Sequence, residues 1–322
     1  MPLYEEAAKI SLAGLEIYRF GFFAMLGMLA AAAVTGFLCW AKRTRKGTGP
    51  LLLLASLLLG GLFSRIGFCL MDLEELGTFF PLKYWIRFTG GGWSMMGLVG
   101  GVMLAGWVTA KITRQKAGLI LDISACALPA FMALERAGEG GVPDFDFSRR
   151  LSGTFLNGSF LTFSDYDGSY LATWKLTAIV AAVLVLVLIW DLTRSRKDGD
   201  TCILFLLLFG GCSVLLESLR YDGFLEFSFV RFQQVLAAVM LVWGLVLAAR
   251  RSGRHGKGFV SSVTAVLVLA VGICIGIEFA LDRTSLSHVL LYVVMAAAVA
   301  VPVVFGFILL RRNNLTEGQN HS

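Results

Sequence analysis

Charge is scarce in this sequence: Asp, Glu, Lys and Arg together make up 16% of its 322 residues, while 57% are hydrophobic. Apolar runs of roughly 20 residues fill the gap, the length a helix needs to cross a bilayer. Soluble helical bundles rarely repeat runs of that length so often, so the sequence reads as an all-α, polytopic helical membrane protein. Cysteine motifs are absent as well. The six cysteines (Cys39, Cys69, Cys126, Cys202, Cys212 and Cys274) fall within or beside apolar runs, with no CxxC and no Cys/His cluster. That pattern suggests neither a zinc site nor a disulfide framework; small apolar residues in helix packing account for it. The first run lacks the basic n-region and short h-region of a cleaved signal, which predicts a retained helix. No basic patch interleaved with aromatics occurs, so the net charge of +6 needs no nucleic-acid partner.

Nine spans are predicted, at about 18–41, 50–71, 91–110, 118–136, 171–191, 201–219, 231–250, 258–280 and 287–310. Their connecting loops alternate in charge. One set, KRTRKGT, KITRQK, TRSRK, RRSGRHGK and a terminal RR, carries four, three, three, four and two basic residues. The opposite set includes the acidic stretches DLEE, DFDF and DYDG. Lys and Arg gather on the cytoplasmic side of membranes, so the N-terminus is expected outside and the C-terminus inside. The longest loop, 137–170, then lies outside. Its aromatics (Phe145, Phe147, Phe155, Phe160, Phe163, Tyr166 and Tyr170) favour an ordered segment, with short strands or a lid, over a floppy one.

An ionised side chain in mid-membrane costs on the order of 2.5–3.5 kcal/mol on insertion scales, so the few that occur are informative. The fourth span ends in Glu135 and Arg136, with Glu139 just beyond. The sixth ends in SVLLESLRYD, where Ser213, Glu217 and Arg220 follow at four and three residues, one helix face. Tyr18 and Arg19 open the first span, and Arg65 lies near the end of the second. On the predicted orientation all of these sit toward the outer leaflet. Arg19 fits an interfacial anchor equally well, and Glu278, near the end of the eighth span, is read as interfacial. An arginine-rich hollow at that depth suits a phosphate head group, because guanidinium pairs bidentately with phosphate oxygens. Gly97 and Gly101, a GxxxG pair in GGGWSMMGLVGG, let a neighbouring backbone or a lipid approach closely. Lys175, one turn into the fifth span, can snorkel or add positive charge.

In this order, these stretches resemble the prolipoprotein diacylglyceryl transferase family of bacterial inner-membrane enzymes, from about Ile10 to Arg251. LEIYRFGFFAMLG is similar to the family's first helix, with Tyr18 at its tyrosine, and LFSRIGF places Arg65 at its arginine. GGGWSMMGLVGG resembles the GG-x-x-x-HGG-x-x-G motif. ILDISACALPAFMALERAGEGG resembles the D-x-x-A-P-x-x-x-x-x-GRxGNF signature, with Asp122 and Arg136 at the aspartate and arginine. FGGCSVLLESLR resembles YxxxRFxxExxR, with Glu217 and Arg220 at the acid and final arginine, and VRFQQVLAAVMLVWG resembles the last family helix. The resemblance implies transfer of the diacylglyceryl group of phosphatidylglycerol to the thiol of a lipobox cysteine in an exported preprotein. It implies no cofactor.

The chain departs from the family pattern at specific positions. Met96 stands at the histidine, Glu139 at the asparagine, and Glu135 at the glycine before the arginine. Ser213 stands at the first arginine of the sixth-span motif, Phe209 at its tyrosine, and Lys175 at an acid. On this reading Arg136, Arg220 and Arg65 bind phosphate, with Ser213 and Gly97 in the substrate site. The base is a carboxylate, Glu139 or Glu217, and Tyr18 shapes the site. Residues 1–251 form the seven-helix body, and 252–322 add two spans and a short tail. The rival expectation is a catalytically inactive descendant that binds phospholipid or a membrane partner. A solute transporter fits less well, because its ionisable residues belong near the midplane. The orientation is testable: alkaline phosphatase, active only outside, should be inactive when fused after Lys46 or Lys197 and active after Gly153.

Overall fold

The computed structural model describes residues 9–12, 15–71, 92–139, 158–165, 168–195, 197–220, 226–227, 230–253, 256–284 and 286–319. Among them, nine helices are long and apolar enough to cross a membrane. They are α1 (Arg19–Ala41), α2 (Thr48–Met71), α3 (Met95–Thr113), α4 (Ala117–Gly138), α5 (Thr173–Arg194), α6 (Asp200–Leu219), α7 (Phe232–Arg251), α8 (Lys257–Arg283) and α9 (His288–Gln319). Every predicted span is present. The largest displacement of a helix start is at α3, expected from 91 but starting at Met95, because Ser94 caps it. The Ser94 hydroxyl accepts from the Gly97 N–H at 3.2 Å. Ser94 is itself pinned to α2, its N–H donating to the Ser64 carbonyl at 3.0 Å while Ser64 Oγ donates to the Ser94 carbonyl at 2.8 Å. A cap tied to a neighbouring helix fixes where α3 begins more firmly than the apolar run does.

Among the described residues, three short antiparallel hairpins precede helices. β1 (Lys9–Leu12) pairs with β2 (Leu15–Tyr18) ahead of α1, and β3 (Thr162–Asp165) with β4 (Gly168–Leu171) ahead of α5. β5 (Glu226–Phe227) and β6 (Val230–Arg231) precede α7. The β3–β4 pair supplies the short strands expected in the 137–170 loop, with Phe163 stacked on its cross-strand partner Tyr170 at 5.6 Å. Phe145, Phe147, Phe155 and Tyr166 of that loop, like Gly90 and Gly91, lie outside the described residues.

The chain forms two compact units, Met1–Val187 with Leu219–Leu225, and Leu188–Ser218 with Glu226–Ser322. In the first, α1 lies along α4, and α3 packs between α2 and α4. A π turn at Ser56–Gly60 interrupts α2 where α3 comes closest. An added Cβ would meet the Phe63 carbonyl oxygen at 2.3 Å from Gly97, and the Leu59 carbonyl oxygen at 2.4 Å from Gly101. The GxxxG pair is therefore a backbone-to-backbone seam between α2 and α3.

In the second unit, α9 runs antiparallel to α6. Tyr292 meets Ser218 at one end, Val299 and Val303 face Gly211 midway, and Gly306 takes the Leu207 side chain. At the other end Asp191 accepts from Arg311 and from Thr201 Oγ1, both at 2.8 Å, and Asp200 accepts from Arg251 Nε at 3.0 Å. All six cysteines are free thiols within helices.

The seam makes neighbouring glycines respond oppositely to one methyl group. Gly101→Ala should destabilise by about 1–3 kcal/mol through overpacking. Gly100→Ala, with nothing within 4 Å of the new Cβ, should stabilise by about 0.5–1 kcal/mol through helix propensity. Unfolding in mild detergent measures both.

Candidate functional site

The last turn of α4 carries a buried ionic cluster. Arg136 is 6% exposed, Glu135 8% and Glu139 3%. Arg136 Nη1 donates to Glu139 Oε1, and its Nε lies 3.5 Å from Glu135 Oε2. The two acids sit where a helix exposes its negative dipole end, an unfavourable place for carboxylates without compensating cations. Arg136 supplies one, and Arg220, the residue after α6 and part of the same compact unit, lies within Coulombic range of Glu135. Arg19 adds a third guanidinium at this helix end, donating to the Ala137 carbonyl at 3.4 Å. Gly138 completes the turn, with the Phe23 side chain where its Cβ would be. Two carboxylates thus share their surroundings with three guanidinium groups.

Around it lies a cation–aromatic layer. Arg19 lies over the Trp174 and Phe23 rings at 5.7 and 5.9 Å, and Lys175 over Phe160 and Trp174 at 4.8 and 5.0 Å. Lys175 also donates to the Phe160 carbonyl at 2.9 Å, tying the β3–β4 hairpin to α5. Tyr18, the residue before α1, is 41% exposed, with Lys9 over its ring at 5.8 Å. Arg65 belongs to a different grouping. It is buried in α2, donates to the Gly92 carbonyl at 3.0 Å and lies over Phe68 at 5.4 Å, beside the cap of α3. Gly97 lies in the seam between α2 and α3, and Met96 is buried in the first turn of α3. Asp122 is buried within α4.

The second unit carries Ser213 and Glu217, both buried one turn apart on α6. It also carries Glu278, which is 8% exposed and accepts from Gln234 Nε2 at 2.6 Å. The face of α8 that Glu278 occupies turns toward α7, and a paired carboxylate tolerates burial. Two members of these groupings were not among the expected site residues. Glu135 was visible as a charge beside Arg136, and its place in the cluster follows from the spacing of three acidic and basic residues within one helical turn. Gln234 carried no comparable signal, because an amide near a helix start is common.

The model of the prolipoprotein diacylglyceryl transferase family matches residues 7–250. A phosphatidylglycerol--prolipoprotein diacylglyceryl transferase of Mannheimia succiniciproducens is 30% identical over 211 residues, 61% of this chain and 74% of that protein. A protein of the same name from Symbiobacterium thermophilum is 28% identical over 186 residues, 52% of this chain and 64% of that protein.

The buried cluster has a sign that can be tested. Arg136→Met strands two acids and should destabilise by about 3–5 kcal/mol. Adding Glu135→Gln and Glu139→Gln to it should recover most of that loss, as read by thermal unfolding in detergent.

Proposed function

This chain belongs to the prolipoprotein diacylglyceryl transferase family, and from that membership we propose that it transfers diacylglyceryl from phosphatidylglycerol to the thiol of a lipobox cysteine. The acceptor is an exported preprotein, and the reaction runs at the outer leaflet of the bacterial cytoplasmic membrane. Residues 1–251 act as the transferase body, with 252–322 added to it. The observation that carries this reading is the Glu135–Arg136–Glu139 cluster with Arg220 in range.

The chemistry has two electrostatic demands. The acceptor sulfur attacks as thiolate, so its proton must go to a base. A C–S bond then forms at the glyceryl carbon as the C–O bond to phosphate breaks, and glycerol phosphate leaves with the electron pair. Negative charge on the phosphate grows along this path, so fixed guanidinium groups beside it favour the transition state over the bound lipid. Arg136 and Arg220 supply them, and Arg65 is assigned to the same lipid through the family pattern.

Glu139 couples the two demands. Ionised, it holds Arg136 to itself. On taking the thiol proton it becomes neutral, its pull on Arg136 weakens, and the guanidinium is released to the phosphate as that charge builds. Glu217, which the chain keeps three residues before Arg220, orients the acceptor or shares the base role. Tyr18 shapes the approach from the exposed side, and Ser213 is assigned to the substrate through the family pattern, whereas Gly97 is taken up by the seam between α2 and α3.

A second reading, a phospholipid-binding protein without turnover, is favoured by Met96, which puts a buried thioether where the family carries histidine. Labelled phosphatidylglycerol and a lipobox peptide separate the two. Label should reach the peptide with the native protein. Glu139→Gln should lower kcat by about 10²–10⁴-fold, the usual share of a general base, while lowering KM for the lipid because one of the two carboxylates beside Arg136 is neutralised. Lipid binding with no label transfer by the native protein would overturn the enzyme reading in favour of the second.

A further inference from the structure

Helices α8 and α9 lie beyond the stretch matched by the family, which ends at residue 250. Within the second unit they are nonetheless bonded to the end of α6 that carries Glu217. We propose that the two helices hold this turn of α6 in place, with Glu278 and Tyr292 as positioning residues for Glu217. The inference rests on the assignment of Glu217 to the transferase site.

Two hydrogen-bond systems carry it. The last four carbonyls of a helix have no partner within the helix and need one from elsewhere. The Ser218 carbonyl is among them, and Tyr292 Oη of α9 donates to it at 3.1 Å, with Ser218 Oγ 3.5 Å from the same oxygen. Tyr292 therefore caps α6 at the residue following Glu217.

One turn earlier, Gln234 Nε2 of α7 donates to the Val214 carbonyl of α6 at 3.2 Å and to Glu278 Oε1 of α8 at 2.6 Å. A primary amide can face a carbonyl with its NH₂ or, after a flip, with its oxygen, and only the first is attractive. A carboxylate can only accept. Placed against Gln234, Glu278 selects the orientation that aims the NH₂ group at α6. Glu217 lies between these two anchored carbonyls, Val214 and Ser218, so its Cα is fixed from both sides. Gln234 is 5% exposed and Glu278 8%, so water does not compete for these bonds.

The test uses the full chain in phosphatidylglycerol nanodiscs, comparing the native protein with Tyr292→Phe, Glu278→Leu and Glu278→Gln. Amide exchange across 213–220 should speed up by about tenfold or more in the Phe and Leu variants, and stay unchanged across 201–207. Glu278→Gln, which retains an oxygen for Gln234, should stay within about threefold of native. In the transfer assay the Phe and Leu variants should lose about tenfold in kcat with KM for the lipid held, the mark of lost alignment rather than lost binding. Unchanged exchange at 213–220, or equal loosening of 201–207, would overturn the inference even with a fully active native enzyme. The expected exchange pattern in a protein that transfers nothing would keep the positioning role and remove the transferase reading.

Discussion

Hydrocarbon offers a buried ion no water, so every charge inside this protein has to be answered by another side chain or a backbone dipole. Arg136 held by Glu135 and Glu139 is the sharpest instance. The two acids stand where the family carries glycine and asparagine. They come with the replacement of an arginine by Ser213 and of a histidine by Met96. Arg19 and Arg220 bring further guanidinium groups to the helix end that carries the two acids. On the proposed function, a ligand phosphate in such a place meets guanidinium groups already paired with carboxylates.

The same constraint shapes the helix contacts. Backbone atoms in the first unit approach each other through Gly97 and Gly101, where α2 offers carbonyls instead of side chains. Ser64 and Ser94 satisfy the cap of α3 from within the protein. In the second unit the polar atoms gather at the two ends of α6 and its middle is sealed by apolar contacts, Val299 and Val303 against Gly211 and Leu207 against Gly306. Ionic fasteners sit at one end, around Asp191 and Asp200, and neutral or singly charged hydrogen bonds at the other. A helix with nothing polar in its middle has only its ends to fix its register.

Much of this was readable in the sequence, and what was not has physical reasons. Apolar run length alone located all nine spans, because a bilayer imposes one length on every helix that crosses it. The proximity of Glu135, Arg136 and Glu139 was also readable, since residues within one helical turn cannot be far apart. The partner of Glu278 was not readable, because hydropathy reports depth along a helix and says little about which side of it faces a neighbour. The start of α3 was displaced for a related reason: the apolar run marks membrane, whereas the Ser64–Ser94 pair that sets the cap is a tertiary contact. Arg65 shows the same limit, since its Gly92 partner lies 27 residues on.

The partner of Ser218 lies 74 residues further along the chain, and that of Gln234 lies 44 further. A ribosome adds about 5–20 residues per second, so the end of α6 is synthesised roughly 4–15 s before Tyr292 exists. During that interval a helix with an uncapped end waits in the bilayer. On the positioning role proposed for Tyr292, the Glu217 turn is secured only once α9 has been made, and a chain ended before α9 would carry α6 with that end unheld.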